Sequence, residues 1–337
     1  MIDHMPEAVL SAIPESRSRG FLVLLALITL IPLLGVPLAL TAASSFGTGL
    51  PGSLTLVLIT GPMHVAATSF FYFDRAFRPV MRESPLRCLW SPAWLPVAIL
   101  GLGVGGMALI GPWARLLIFG FHNIWLFYHY QRQNFGLISF VSTSVGGGRL
   151  SPQVNTTLNT AALGGIIAVL GTPGFYPYTD GILTAHAYLA MRTVGTAIYV
   201  ISVFMMILMF RREPRLREST WLVGALVVGV AFFLPAVVFR SAALSFLPYA
   251  IAHGAQYILM MTVVSGRSSR GWMALLTMCG VGVGLGYVFN LMTAWPLILV
   301  AAGLTQVHFL VDAKVWRLRE PRQRAIMNER FDFLLAS

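Results

Sequence analysis

The chain has 337 residues, of which 57% are Ala, Val, Ile, Leu, Met, Phe, Trp, Tyr or Cys and 10% are charged, with a formal net charge of +11. That charge density is far below the roughly 25% of an average soluble domain, so a soluble surface is excluded. The basic residues are scattered among short loops and form no patch that nucleic acid would need, and Cys88 and Cys279 alone support neither a disulfide framework nor a thiolate metal cluster.

The apolar residues come in blocks of about 20, the length that crosses ~30 Å of hydrocarbon at 1.5 Å per residue. This predicts an all-α, polytopic transmembrane helical bundle of about ten spans. A cytoplasmic segment (1–19) leads into one transmembrane domain (20–313), and a basic amphipathic tail (314–337) follows. In chain order the spans are expected at 20–44, 52–73, 93–112, 113–134, 155–171, 186–210, 220–240, 243–264, 271–289 and 292–313. The first follows Arg17 and Arg19 and is too long for a signal-peptide core, so it reads as a retained span. The third and fourth also read as one hairpin broken around Gly111 and Pro112. Residues 171–181, rich in Gly, Pro and Thr, read as an outer loop. The tail is expected on the inner membrane surface, its arginines interleaved with Phe331, Phe333, Leu334 and Leu335.

Charge sets the orientation. With both termini inside, every one of the 23 basic residues except Arg115, Arg192 and Arg240 falls on the cytoplasmic side, as the positive-inside rule requires. The expected location is a bacterial inner (plasma) membrane, with lipid as the surrounding partner.

Ionisable groups inside a span are costly and usually functional. Five of the seven histidines fall inside spans: His64, His122, His129, His253 and His308. All lie on even-numbered spans running inward. Counting from the outer ends puts His64, His122 and His253 near mid-depth and His129 and His308 nearer the cytoplasm. His308 and Asp312 are four apart on one helical face, where they can chelate one metal or the carboxylate can orient the imidazole. His122 and His129 share a face that Gln133 continues. Gln256 and Tyr257 follow His253 by three and four residues, and Thr68 follows His64 by four.

Neutral imidazole with carboxylate suits iron, zinc or copper. The expected cofactor is a metal ion, iron first, with zinc, copper or haem as alternatives. A haem clamped between two histidines such as His122 and His253 is one of these. The metal-ligand candidates are His64, His122, His129, His253, His308 and Asp312, with Gln133, Gln256 and Tyr257 as catalytic candidates that orient ligands or a bound oxidant. Each imidazole alone is more often an interhelical hydrogen-bond partner than a ligand, the two readings being even only for His308 with Asp312. The desaturase boxes HxxxH and HxxHH do not occur, nor do HExxH, GxSxG, a P-loop or CxxCH.

Two segments, residues 122–136 (HNIWLFYHYQRQNFG) and 308–317 (HFLVDAKVWR), resemble ones in uncharacterised multi-span bacterial membrane proteins. In overall plan the chain is similar to the Brp/Blh family of membrane β-carotene 15,15′-dioxygenases, and Pro62-Met63-His64 resembles that family's first histidine motif. The family's His-Gly followed by Asp-His does not occur after His64, and this chain reads as having more spans. The resemblance implies an intramembrane non-haem iron site built from histidines on separate helices.

The leading expectation is therefore a non-haem iron-dependent oxygenase or oxidoreductase acting on a lipid or isoprenoid. The alternatives are an ion- or proton-coupled carrier using the same histidines, and a b-type haem protein. No pattern selects a redox partner.

Overall fold

The computed structural model describes residues 15–45, 61–83, 91–146, 148–175, 183–266, 269–291 and 295–335, and the elements among them are helices with no strand. The first part of the predicted second span, most of the outer loop, His4 and Cys88 lie outside these residues.

Helix α1 (Glu15–Leu30) passes through one π turn, Ile31–Gly35, into α2 (Val36–Ser45). Pro32 and Pro37 account for the irregular turn, because proline lacks an N–H and its ring crowds the preceding turn. Residues 61–67 are helical, the helix breaks at Thr68 and Ser69, and α3 (Phe70–Phe73) and α4 (Arg78–Arg82) follow. Then come α5 (Ser91–Ile110), α6 (Pro112–Ser144), α7 (Pro152–Leu170), α8 (Ala185–Arg212), α9 (Thr220–Ala231), α10 (Leu234–Val238), α11 (Ala242–Ser265), α12 (Ser269–Leu291) and α13 (Trp295–Val315). The tail forms α14 (Pro321–Arg330) and α15 (Asp332–Leu335).

Six helices among the described residues are long and apolar enough to cross a membrane: Ser18–Ala42, Ser91–Ile110, Ala185–Arg212, Thr220–Val238, Ala242–Ser265 and Pro296–Val315. The chain is an all-helical integral membrane protein. Four of the predicted spans are not among the six, each for a visible reason. Residues 52–73 are described only in part. Helix α6 carries Arg115, His122, His129 and Arg132; α7 carries Gln153, Asn155, Thr156, Thr157, Asn159 and Thr160; and α12 has four glycines between 280 and 286. Part of this polarity is turned inward, as where Gln131 of α6 donates to the Leu158 carbonyl (3.4 Å) and to Asn159 (3.3 Å) on α7.

Gly111 sits between α5 and α6 at φ +59°, a conformation open to glycine at little cost, and it makes the turn of a tight hairpin. Helix α6 then runs for 33 residues, about 50 Å at 1.5 Å per residue. It therefore continues to Ser144, well past the end expected near 134. Close approach also sets the helix that carries His64. A Cβ at Gly282 of α12 would lie 2.6 Å from both the Pro62 carbonyl oxygen and Ala66 Cβ, so only glycine lets that helix seat.

The C-terminal end of α10, before α11 begins, leaves carbonyls without helical partners, and Arg192 of α8 meets them. Its guanidinium donates to Val237 O and Phe239 O (both 2.8 Å), to Ala236 O (3.4 Å) and to Thr172 Oγ1 (3.1 Å). One of the few basic residues assigned to the outer side is thus a cap on the end of α10.

The tail differs from expectation. Met327, Phe331, Phe333 and Leu334 are buried in protein, with the Phe331 ring 5.4 Å from Phe140 and 6.4 Å from Phe21. Arg330 pairs with Asp74 at 3.4 Å, Arg322 with Glu83, and the Ser18 hydroxyl donates to the Phe333 carbonyl. The apolar face of the tail finds a better-packed partner in the end of its own bundle than a membrane surface offers.

Replacing Arg192 by Met strands three carbonyls and is expected to destabilise the protein by roughly 2–4 kcal/mol, since orphaned buried acceptors cost about 1–3 kcal/mol each and water recovers part. Thermal unfolding in mild detergent reads this. Arg192→Lys should recover only a part, because an ammonium lacks the fork that spans several acceptors.

Candidate metal centre

Four helical segments meet at one buried point. Residues 61–67 bring His64, α6 brings His129, α11 brings His253, and α13 brings His308 and Asp312, all of them buried. The imidazoles form a closed circuit with ring centroids 4.9 Å apart for His64 and His253, 5.1 Å for His253 and His129, 4.8 Å for His129 and His308, and 4.8 Å for His308 and His64. Their donor atoms fall into two overlapping sets within 4.8 Å: His64, His253 and His308, and His129, His308 and Asp312.

The distances suit one shared ion. His308 Nε2 and His129 Nε2 are 3.2 Å apart. Two nitrogens bound to one ion at ~2.0–2.1 Å stand roughly 2.9–3.4 Å apart, from octahedral to tetrahedral angles. Asp312 Oδ2 lies 3.8 Å from each of these nitrogens, wider than that range, so the carboxylate stands beside the pair.

A hydrogen-bond chain sets which nitrogen of His308 faces the point. Asp312 Oδ1 accepts from Tyr257 Oη at 2.8 Å, Tyr257 Oη meets Thr68 Oγ1 at 2.7 Å, and Thr68 Oγ1 meets His308 Nδ1 at 2.5 Å. A carboxylate only accepts, so the tyrosine proton is committed to it. The threonine proton then goes to the tyrosine oxygen, and the threonine must accept from Nδ1–H. His308 is held with its lone pair on Nε2, aimed at the common point. Carboxylate, tyrosine and threonine come from three separate segments, and together they orient a ligand as the outer partners of metal sites do.

His253 supplies a second indication. It is completely buried, and neither Nδ1 nor Nε2 has a hydrogen-bond partner. An unpaired buried polar group costs about 1–3 kcal/mol, and native structures rarely leave one. A metal ion on one nitrogen removes that atom's share of the cost. Flat apolar faces hold the rings in place: Tyr130 lies on His253 at 4.0 Å between centroids and Phe309 stacks on His129 at 4.3 Å.

The remaining candidates lie elsewhere. Counting depth from helix ends puts His122 level with His64 and His253, and the structure instead brings in His129. His122 is seven residues, about 10 Å, further along α6, and its Nδ1 meets Gln306 Nε2 at 3.0 Å. The span ends of a 33-residue helix do not report its depth, which is why the count misplaces it. Gln133 donates to the His253 carbonyl (3.0 Å) and to Gln256 Oε1 (3.3 Å), and Gln256 donates to Thr29 Oγ1 (2.9 Å). These two glutamines brace helices and bond to no ligand ring. Tyr257 does join the centre, through Asp312. Thr68, Tyr130 and Phe309 were not read as site residues. The i, i+4 spacing of Thr68 from His64 was the one sequence signal for any of them.

No family model matches the chain, and no curated protein or solved structure matches it. The assignment of the centre rests on its own donor atoms.

Replacing His308 by Ala is expected to abolish metal retention, measured by elemental analysis of detergent-purified protein, whereas His122→Ala should leave it unchanged. Thr68→Val and Tyr257→Phe break the orienting chain and should each weaken metal binding by about 10–100-fold, read by chelator competition.

Proposed function

We propose that the protein holds one metal ion, iron, on His64, His129, His253 and His308 with Asp312 as a further donor, and that it is a membrane oxygenase or oxidoreductase acting on a lipid or isoprenoid. The observation that carries this reading is the closed ring of four buried imidazoles with a carboxylate beside it. A carboxylate buried among neutral rings calls for a positive charge. Four nitrogens and an oxygen exceed the tetrahedral set that structural zinc takes, and iron accepts five or six donors. The lack of thiolates speaks against an iron–sulfur cluster, and rings packed 4.8–5.1 Å apart leave no slot for a porphyrin. The similarity in plan to the Brp/Blh dioxygenases points the same way.

Bound iron would supply dioxygen chemistry directed at an apolar carbon. The chain's own residues do the rest. Asp312 offsets the ion's charge, Thr68 and Tyr257 fix His308, and Tyr130 and Phe309 exclude water from two rings. Further out, Phe127, Phe232, Phe233 and Tyr249 close the centre with a buried aromatic layer.

For topology we propose ten passes with both termini in the cytoplasm of a bacterial inner membrane. Helices α6, α7 and α12, with 33, 19 and 23 residues, are long enough to cross, and the charge asymmetry of the loops supports the orientation.

Protein purified in mild detergent is expected to contain about one iron per chain and to show no Soret band. Removing the iron with a strong chelator should abolish oxygen consumption with a lipophilic substrate, and ferrous iron should restore it. Absence of any stoichiometric transition metal in freshly purified protein would remove this reading.

A further inference from the structure

A cavity of about 300 Å³ lies between α1, α6 and α9, with Leu25, Leu137 and Ala225 in its walls. That volume is at the lower end for a small-molecule pocket. No lining residue carries a charge. At one end are Trp221 and Thr220, at the start of α9; the other end is polar, with Thr29, Asn134 and Gln256. All three of these polar residues are more than nine-tenths buried.

The polar end lies next to the metal centre. Gln256 is three residues after His253 and one before Tyr257, and Asn134 is five after His129. The cavity therefore ends about one helical turn, ~5 Å, from the imidazoles. Gln133 links the two regions, donating to the His253 carbonyl and to Gln256 Oε1.

Hydrogen bonding at this end defines what fits. Thr29 donates to the Leu25 carbonyl and accepts from Gln256, so its proton is used. Asn134 donates Nδ2 to the Gly229 carbonyl at 3.2 Å. That bond fixes the amide's orientation and turns Oδ1 away as an acceptor that receives no hydrogen bond. An acceptor left open at a cavity wall favours a ligand that donates. With no charge in the lining, an acid or a protonated amine would enter without a counter-charge. An alcohol satisfies both conditions, and apolar walls call for a long hydrocarbon behind the hydroxyl.

We propose that this cavity binds the substrate, an uncharged long-chain alcohol, with its hydroxyl donating to Asn134 Oδ1 and its tail lying between α1, α6 and α9. The chemistry performed on it rests on the metal reading above, whereas the binding does not. Substrate arrives from the lipid between helices.

The test uses the full chain in lipid nanodiscs, with geranylgeraniol and its methyl ether as probes, and metal content measured on the same samples. Wild type is expected to bind about one alcohol per chain, and the ether, which cannot donate, about tenfold more weakly. A Cβ at Gly224 meets nothing within 4 Å, so Gly224→Phe fills the cavity without displacing backbone and should lose alcohol binding at least tenfold while keeping its metal. A Cβ at Gly280 also meets nothing, and Gly280→Phe, on an exposed face of α12, should bind as wild type does. Equal binding of ether and alcohol to wild type overturns the proposal even if Gly224→Phe fails to fold, and so does undiminished binding to a folded Gly224→Phe. Metal-loaded wild type that binds no alcohol sinks the cavity assignment alone. Metal-free wild type that binds it sinks the metal reading and leaves the cavity standing.

Discussion

Four imidazoles and a carboxylate buried together inside a membrane protein are expensive unless something positive sits among them, and much of the structure exists to hold them at that point. Each ring comes from a different helical segment, so no local sequence preference can bring them together. The supports are correspondingly long-range. Thr68 and Tyr257 are joined across 189 positions, and Thr68 and His308 across 240. Thr68 occupies the break before α3, where the helix yields and its hydroxyl reaches two other segments. Gln133 and Gln256 tie α6 to α11 and α11 to α1 just beyond the rings. Remove the need to hold the cluster, and this polar bracing in an apolar bundle has no purpose.

Two apolar layers enclose that centre. On one side lie Phe127, Tyr130, Phe232, Phe233 and Tyr249; on the other lie Leu137, Phe140, Val141, Val311 and Val315, continued by Met327, Phe331 and Leu334 of the tail. The tail is thus part of the seal, held by Arg330 on Asp74 and by the Ser18 hydroxyl on the Phe333 carbonyl. Electrostatic interactions strengthen as water is excluded, so a sealed layer on each side strengthens the hydrogen-bond chain that orients His308. The uncharged cavity beside the centre is walled in part by Leu137 and Val141 of one of these layers.

Breaks in helices are tolerated only where the freed backbone groups find partners. The two main breaks solve this differently. Between α10 and α11 a guanidinium with several donors satisfies three carbonyls at once. At Thr68 a side-chain hydroxyl and short backbone turns suffice, because the segment resumes within two residues. The first break shapes the bundle, and the second serves the centre.

The helical membrane class was legible in the sequence alone, because hydrophobic block length and the 1.5 Å rise per residue are local quantities. So was the restriction of candidate ligands to intramembrane His and Asp residues, since each such group signals its own cost. The i, i+4 pairing of His308 with Asp312 was equally local. Only the tertiary structure decided that His129 joins the centre and His122 does not, that Tyr257 reaches it while Gln133 and Gln256 brace the helices around it, and that the tail packs inward. Those outcomes depend on the tilt, depth and rotation of whole helices, set by contacts such as Gly282 on Pro62 between residues far apart in the chain. No window along one helix contains the position of its neighbour.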